Sequence, residues 1–158
     1  MEDGIAMFDK ILVPLDCSEF TENTLNVAIE VAKKFNSHLF LLHVFPAHDE
    51  YRRAGITGKV RVRRQAHGAA KISEEIPEVC FNLLANSKRK VAAEGIPVET
   101  LLKEGHIVNE ILETIIQGSF DLVIMGSRGQ SMIKNLLLGS VSNGVIRHAS
   151  CSVLVAKK

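Results

Sequence analysis

The stretch Asp-Leu-Val-Ile-Met-Gly-Ser-Arg-Gly, residues 121–129, joins a short apolar run to a turn that contains two glycines. A short apolar run that ends in turn residues is typical of a strand buried inside a parallel sheet. Glycine directly after such a strand lets the backbone turn sharply and lie close to a ligand. We therefore predict a buried strand over 121–125, followed by a loop that can carry a binding site.

The same kind of strand is predicted four more times along the chain. Residues 10–16, Lys-Ile-Leu-Val-Pro-Leu-Asp, predict the first strand. Pro14 predicts the end of that strand, because proline cannot donate to a strand ladder. Apolar patterns predict the remaining strands over 38–45, 96–103 and 151–156.

Helical spacing of apolar residues separates these strands. The first helix is expected after Ser18, a predicted N-cap, with apolar positions at Leu25, Ala28, Ile29, Ala32 and Phe35. Three more helices are predicted, over 72–93, 106–117 and 140–148. In the first of these, Pro77 marks a kink or the true start and Gly95 marks the end. Gly118 ends the second.

Alternating strands and helices predict the α/β class, with one open parallel sheet and helices on both faces. Crossovers between parallel strands are expected to be right-handed. We predict a single domain over residues 1–158, with a long basic loop over 46–68 that contains glycines and many arginines.

Composition narrows the possible classes of function. A chain of 158 residues, 46% of them hydrophobic, suits one globular domain, and its net charge of +1 predicts no general attraction to nucleic acid or membranes. The longest apolar stretch, 39–45, is too short to span a bilayer. The chain has three dispersed cysteines, Cys17, Cys80 and Cys151, and we predict that they are buried reduced thiols. No secretory signal is expected. We therefore predict a cytoplasmic protein.

The glycine loop has features that favour phosphate binding. Gly126 and Gly129 are followed, after nine further residues, by Gly139 and Ser140 at the predicted start of a helix. Successive backbone N–H groups and a helix N-terminus both attract anions. The spacing is neither a Walker A motif nor the dinucleotide fingerprint. The same glycines could equally serve only to end the strand and to begin the helix, with no ligand bound.

The motif Gly126-x2-Gly129-x9-Gly139-Ser140 resembles the signature of the ATP-binding universal stress proteins. Residues 11–16 followed by Ser18, and the closing segment 139–155, are also similar to that family. The resemblance covers residues 8–156 and implies a Rossmann-like sheet of order 3-2-1-4-5, of the adenine nucleotide alpha hydrolase type. The implied ligand site is the switch point between strands one and four.

The resemblance also implies which residues bind the nucleotide. Asp16 would bind the ribose and Val44 would meet adenine through its backbone, although a turn role for Asp16 and core packing for Val44 are the alternatives. Pro14, Met125, Gly126 and Arg128 would lie at the ends of the two central strands. The ribose-phosphate path would be lined by Gly129, Gly139, Ser140, Val141 and Ser142.

The expected ligand is ATP, with AMP or ADP as alternatives, and Mg or Mn would be held mainly by the phosphates. The implied function is a nucleotide-sensing regulatory module in the stress response. A slow ATPase or nucleotidyl-transfer enzyme on the same fold is one alternative, and a ligand-free structural dimer is another. We predict no catalytic residues and no protein-held metal.

Two predictions concern partners. The fifth strand, around residues 152–155, lies at the sheet edge and is apolar enough to pair with a second copy, so we predict a homodimer. The basic residues within 52–64 have Tyr51 as their one aromatic neighbour, which favours a solvated loop over a nucleic acid site.

Overall fold

The computed structural model describes residues 7–45, 59–63, 73–128 and 138–157. Its elements follow one another as β1 (Lys10–Pro14), α1 (Thr21–Phe35), β2 (His38–Phe45), β3 (Lys59–Arg63), β4 (Ser73–Pro77), α2 (Glu78–Ala93), β5 (Val98–Glu104), α3 (Ile107–Gly118), β6 (Leu122–Gly126), α4 (Ser140–His148) and β7 (Ser152–Ala156).

Five of these strands form one parallel sheet in the order β5-β2-β1-β6-β7. Counted along the chain as the five sheet strands, this order is 3-2-1-4-5, and the prediction is confirmed. The central strands are buried because both faces of the sheet are covered, which explains why their sequences are almost continuously apolar.

The core consists of two layers, one on each face of the sheet. The first lies under α1 and α2, and its buried residues include Leu25 and Ile29 from α1 and Leu84 from α2. The second lies under α3 and α4, with Ile111 from α3 and Val145 from α4 packed on the opposite face. Helices on both faces, as predicted, exclude water from the sheet and leave the carboxyl ends of its strands as the place where a ligand can reach the backbone.

A second, two-stranded antiparallel sheet corrects the expectation for the middle of the chain. β3 lies within the predicted loop 46–68, and β4 occupies positions predicted as helix. The Lys-Val-Arg-Val-Arg sequence of β3 alternates with period two, which suits a strand, and the register places Arg61 opposite Glu75. Pro77 ends β4 and α2 begins at Glu78, so Pro77 precedes the true start of that helix and does not kink it.

Helix and strand ends differ from prediction for local reasons. Ser18 is not the N-cap of α1, because its hydroxyl accepts the Phe20 N–H at 3.3 Å and the helix begins only at Thr21, after Phe20. α3 includes Gly118, and the left-handed residue that ends it is Ser119, with φ 51°. Gly95 follows α2 with φ 75°, in agreement with the prediction that a glycine closes that helix.

None of the helices in the described part of the chain is long and apolar enough to cross a membrane.

Candidate functional site

The sheet opens between β1 and β6 near their carboxyl ends. These strands are paired at Ile11 with Leu122 and at Leu12 with Val123, and the pairing stops there. The next residue of β1 that faces β6 is Pro14, which has no N–H to donate. Proline therefore separates the two strands at the point where the order of the sheet reverses, and a crevice begins there.

Asp16 lies in the turn at the mouth of this crevice and is half-buried. Its Oδ1 accepts the Ser18 N–H at 3.1 Å and the Thr21 hydroxyl at 3.3 Å, while its carbonyl oxygen accepts the same hydroxyl. The turn role that the sequence left open is therefore present. Asp16 Oδ2 has no hydrogen bond to any residue that the structure describes, so one carboxylate oxygen is without a partner in that part of the chain.

The core-packing role that the sequence left open for Val44 is present, and the contact of its backbone with adenine stays a prediction. Its side chain is 7% exposed and packs in the core under α3 and α4. Successive residues of β2 face alternate neighbours: Leu42 accepts the Leu15 N–H on the β1 side, and Phe45 accepts the Gly105 N–H on the β5 side. The N–H and carbonyl of Val44 therefore face the β1 side, beyond the end of β1.

The end of β6 is held against the start of α1. Met125 is buried in the same core layer as Val44. A Cβ on Gly126 would lie 3.2 Å from Thr24 Oγ1 and 3.3 Å from Phe20 Cβ, closer than most side chains approach. This close packing favours glycine at position 126. Arg128, half-buried, leads into residues 129–137, outside the described part of the chain. Gly129 belongs to that segment.

The two ends of the glycine loop are tied together at their base. The Gly139 N–H donates to the Ser127 carbonyl at 2.7 Å, and the Ser142 hydroxyl lies 3.0 Å from both the Ser127 and the Gly139 carbonyls. Ser142 is 2% exposed, so its hydroxyl braces the loop in this structure. A direct contact of Ser142 with a ligand stays a prediction.

α4 presents its N-terminus at the other end of the loop. Gly139 is the N-cap, with φ −74° and ψ 168°, a conformation open to any residue, and no side chain of the described residues caps the helix. The first N–H groups of a helix have no intrahelical acceptor, so those of Ser140 and Val141 are available to an anion. No acidic residue lies in the first turn of α4, so its partial positive charge is not neutralised locally.

His43, which no motif of the sequence marked as a site residue, is 6% exposed and lies beside this site. Its Nδ1 lies 2.7 Å from the Leu15 carbonyl oxygen and its Nε2 lies 3.1 Å from Cys80 Sγ. Burial lowers the pKa of His43, against smaller raising effects of the bond to Leu15 and of Asp16. A histidine inside the apolar run of β2 was the available signal.

All three cysteines are free thiols. Cys80 is buried and Cys151 is half-buried, but Cys17 is exposed, so the prediction of buried thiols is wrong for Cys17, which lies in the turn after β1. Partial burial, the neighbouring Cys80 and Asp16 raise the pKa of the Cys17 thiol. Within the described ranges, no group of three or more histidine, cysteine, aspartate or glutamate side chains could hold a metal ion.

Residues 7–157 match the family model described as the universal stress protein family. The chain belongs to the universal stress protein family. This universal stress protein is 33% identical over 151 residues to universal stress protein YxiE of Bacillus subtilis, across 96% of this chain and 100% of the relative.

Solved structures of universal stress proteins have the same fold. The structure of MJ0577, a protein of Methanocaldococcus jannaschii, matches with a TM-score of 0.74 and 26% identity, over 96% of this chain and 97% of that chain. A universal stress protein of Arabidopsis thaliana with AMP bound matches with a TM-score of 0.61, over 95% of this chain and 91% of that chain. The identity is 19%, and this likeness shows the fold.

Proposed function

We propose that this universal stress protein binds an adenine nucleotide, ATP in particular, in the crevice between β1 and β6. The observation that carries the proposal is that three groups without a partner among the described residues lie at the carboxyl end of the parallel sheet. These are the backbone of Val44, the Oδ2 oxygen of Asp16 and the N-terminus of α4. A donor and an acceptor side by side suit adenine, a carboxylate suits ribose hydroxyls, and helix N–H groups suit phosphates.

A relative supports the nucleotide class. The Arabidopsis protein of the same fold has AMP bound, so the fold accommodates an adenine nucleotide. In this chain, Pro14, Met125, Gly126 and Arg128 would form the walls of the crevice, and Gly129, Gly139, Ser140, Val141 and Ser142 would line the phosphate path. Mg or Mn would be held mainly by the phosphates.

We propose a regulatory role in the stress response, with ATP binding as the sensed event. Fast hydrolysis needs a positioned water, a base and neutralisation of charge at the γ-phosphate. Asp16 is the carboxylate that the described residues bring to the crevice, and it already holds the turn through Oδ1. These facts favour a binding module over an ATPase or nucleotidyl transferase.

We further propose that β7 pairs with β7 of a second copy. β7 lies at the edge of the sheet, paired on one side with β6, and its three central residues, Val153, Leu154 and Val155, are half-buried. An apolar edge strand with an open side is a common dimer surface. The protein would act in the cytoplasm as a homodimer.

The substitution Ser140→Asp tests the phosphate end of the site. Ser140 is exposed at the first position of α4, where a carboxylate stabilises a helix through its dipole. The same carboxylate repels phosphates, since two unit charges about 4 Å apart near a protein surface interact by about 1–4 kcal/mol. We expect isothermal titration to show ATP affinity reduced about tenfold or more, with adenosine affinity unchanged.

Ser140→Asn is the matched control, because it has nearly the same shape without the charge. It should bind ATP like the wild-type protein, and circular dichroism should show both variants folded. A wild-type protein that binds no adenine nucleotide, or an aspartate variant with full ATP affinity, would refute the proposed site.

A further inference from the structure

His43 bridges the end of β1 and the first turn of α2. A carbonyl oxygen can only accept a hydrogen bond, so Nδ1 carries the proton and donates to Leu15 at 2.7 Å. Nε2 is then the acceptor, and the Cys80 thiol donates to it at 3.1 Å. The ring is 6% exposed, and both of its nitrogens are used, so its orientation is fixed.

The bond from His43 takes the place of a bond of the strand ladder. The ladder between β1 and β2 continues past Pro14 with the Leu15 N–H, which donates to the Leu42 carbonyl at 2.8 Å. In a parallel ladder the next bond would run from the Val44 N–H to the Leu15 carbonyl. The structure has no such backbone bond, and the Leu15 carbonyl accepts the His43 ring instead.

The Val44 amide is therefore left without an acceptor among the residues that the structure describes. Its residue is 7% exposed, and buried backbone N–H groups nearly always have a partner. The amide faces the β1 side of β2, where the crevice opens, and the Val44 carbonyl faces the same way. Among the described residues, neither the N–H nor the carbonyl of Val44 on this side of β2 has a partner.

We propose that His43 is a positioning residue that keeps the Val44 amide free and thereby gives the site its preference for adenine. The inference rests on the proposed function, because it concerns the base end of that site. Adenine has an amino donor beside a ring-nitrogen acceptor, whereas guanine has a carbonyl acceptor at the position of that amino group. A free Val44 N–H and carbonyl match adenine and mismatch guanine.

Removing the ring donor changes which bond forms. In His43→Leu the Leu15 carbonyl is released, and the Val44 N–H completes the ladder. In His43→Asn the side-chain amide nitrogen takes nearly the position of Nδ1 and still donates to Leu15. A purely structural role for His43 predicts that the leucine variant is less stable but has unchanged base preference.

Amide hydrogen exchange, followed by NMR in the nucleotide-free protein, tests the ladder directly. In the wild-type protein the Val44 amide should exchange about tenfold or more faster than the Leu42 amide, since exchange is slow where a hydrogen bond protects the amide. In His43→Leu the Val44 amide should become as slow as Leu42, and in His43→Asn it should stay fast. A wild-type Val44 amide as protected as Leu42 overturns the proposal even if the leucine variant does not fold.

Titration with AMP, GMP and ribose 5-phosphate tests the consequence for the base. His43→Leu should lose about tenfold in AMP affinity and most of the preference for AMP over GMP, while ribose 5-phosphate binds as before. His43→Asn should retain the preference. An unchanged AMP-to-GMP ratio in a folded leucine variant overturns the proposal. If the wild-type protein binds no nucleotide, the proposed function and the adenine preference both fail, and the exchange rates alone decide whether His43 controls the Val44 amide.

Discussion

The two ends of the β1–β6 strand pair differ in how their backbone groups are satisfied. At the amino end, Asp121 Oδ2 accepts the N–H groups of Asp9 at 3.0 Å and Lys10 at 2.9 Å, and Lys10 Nζ donates to the Gly118 carbonyl at 2.7 Å. At the carboxyl end, Pro14 donates nothing and the strands separate. At the amino end these backbone groups have partners within the protein, whereas at the carboxyl end β1 and β6 are not paired beyond Leu12 and Val123.

The contrast shows how one sheet can serve both stability and binding. The Lys10 ammonium also lies 5.6 Å from the Phe40 ring centroid and 5.5 Å from that of Phe120, which helps to close the amino end. Each hydrogen bond made within the protein is one that a ligand cannot make. The Asp121 carboxylate at the amino end is used by bonds within the protein, whereas Asp16 at the carboxyl end has one oxygen, Oδ2, without a hydrogen bond to any described residue.

Replacing Asp16 and Asp121 by asparagine, each in a separate variant, should give the largest difference in ATP affinity between the two ends. Asp16→Asn keeps an oxygen that can accept from Ser18 and Thr21 but removes the charge offered to the ribose. Loss of a charge-assisted bond, worth about 1.5–3 kcal/mol, should weaken ATP binding about 10- to 100-fold. Asp121→Asn is the matched control at the amino end and should leave ATP affinity unchanged in isothermal titration. Equal losses of ATP affinity in the two variants would contradict the division between an amino end that stabilises the protein and a carboxyl end that binds the nucleotide.

A glycine substitution at the amino end should act on stability alone. In Gly118→Ala the new Cβ would overlap the ring of Phe120, which is buried and packed edge-on against Phe40 at a centroid distance of 5.0 Å. Overpacking of this kind costs about 1–3 kcal/mol, which outweighs the gain of about 1 kcal/mol from alanine in a helix. Urea unfolding should show the loss, with ATP affinity intact.

Gly144→Ala in α4 serves as the comparison for that experiment. Its Cβ would lie 3.1 Å from both Val108 methyl carbons, a milder contact that a shift of a few tenths of an ångström relieves. Its free energy of unfolding should therefore fall less than that of Gly118→Ala. A stabilised Gly118→Ala protein would show that the Phe120 ring moves aside easily and that the amino end is less rigid than its contacts indicate.

The smallest expected effect is a dependence of stability on pH that comes from the carboxyl end. Burial holds the pKa of His43 below its ordinary value of 6.5, so the unfolded chain takes up the proton first as the pH falls. The contribution of neutral His43 to the free energy of unfolding is complete above about pH 6.5. It is lost as the pH falls toward the pKa in the folded state, by at most about 1.4 kcal/mol per pH unit. His43→Asn should have a shallower pH dependence in urea unfolding between about pH 7.5 and 5. Parallel curves for the two proteins would exclude His43 as the source.

Much of the fold was predictable because local pattern and tertiary structure agree. The apolar run of β2 and the helical spacing of α4 predicted His38–Phe45 and Ser140–His148 with the bounds that the structure has. β5 begins at Val98, two residues later than predicted, because Pro97 has no N–H for a ladder. β4 was predicted as helix because Ser73–Pro77 directly precedes a true helix, and only the pairing with β3 distinguishes them.

The sequence alone determined the alternation of strands and helices, the position of Pro14 and the helix that begins at Ser140. Resemblance added the strand order and the residues expected to bind a nucleotide. Only the tertiary structure decided that the Leu15 carbonyl accepts the His43 ring and that the Val44 amide has no acceptor among the described residues. The reason is physical: which amide of β2 faces the crevice depends on the register between β1 and β2, and which donor reaches Leu15 depends on where α2 brings Cys80 against the ring. Neither relation between distant residues is present in any local stretch of the chain.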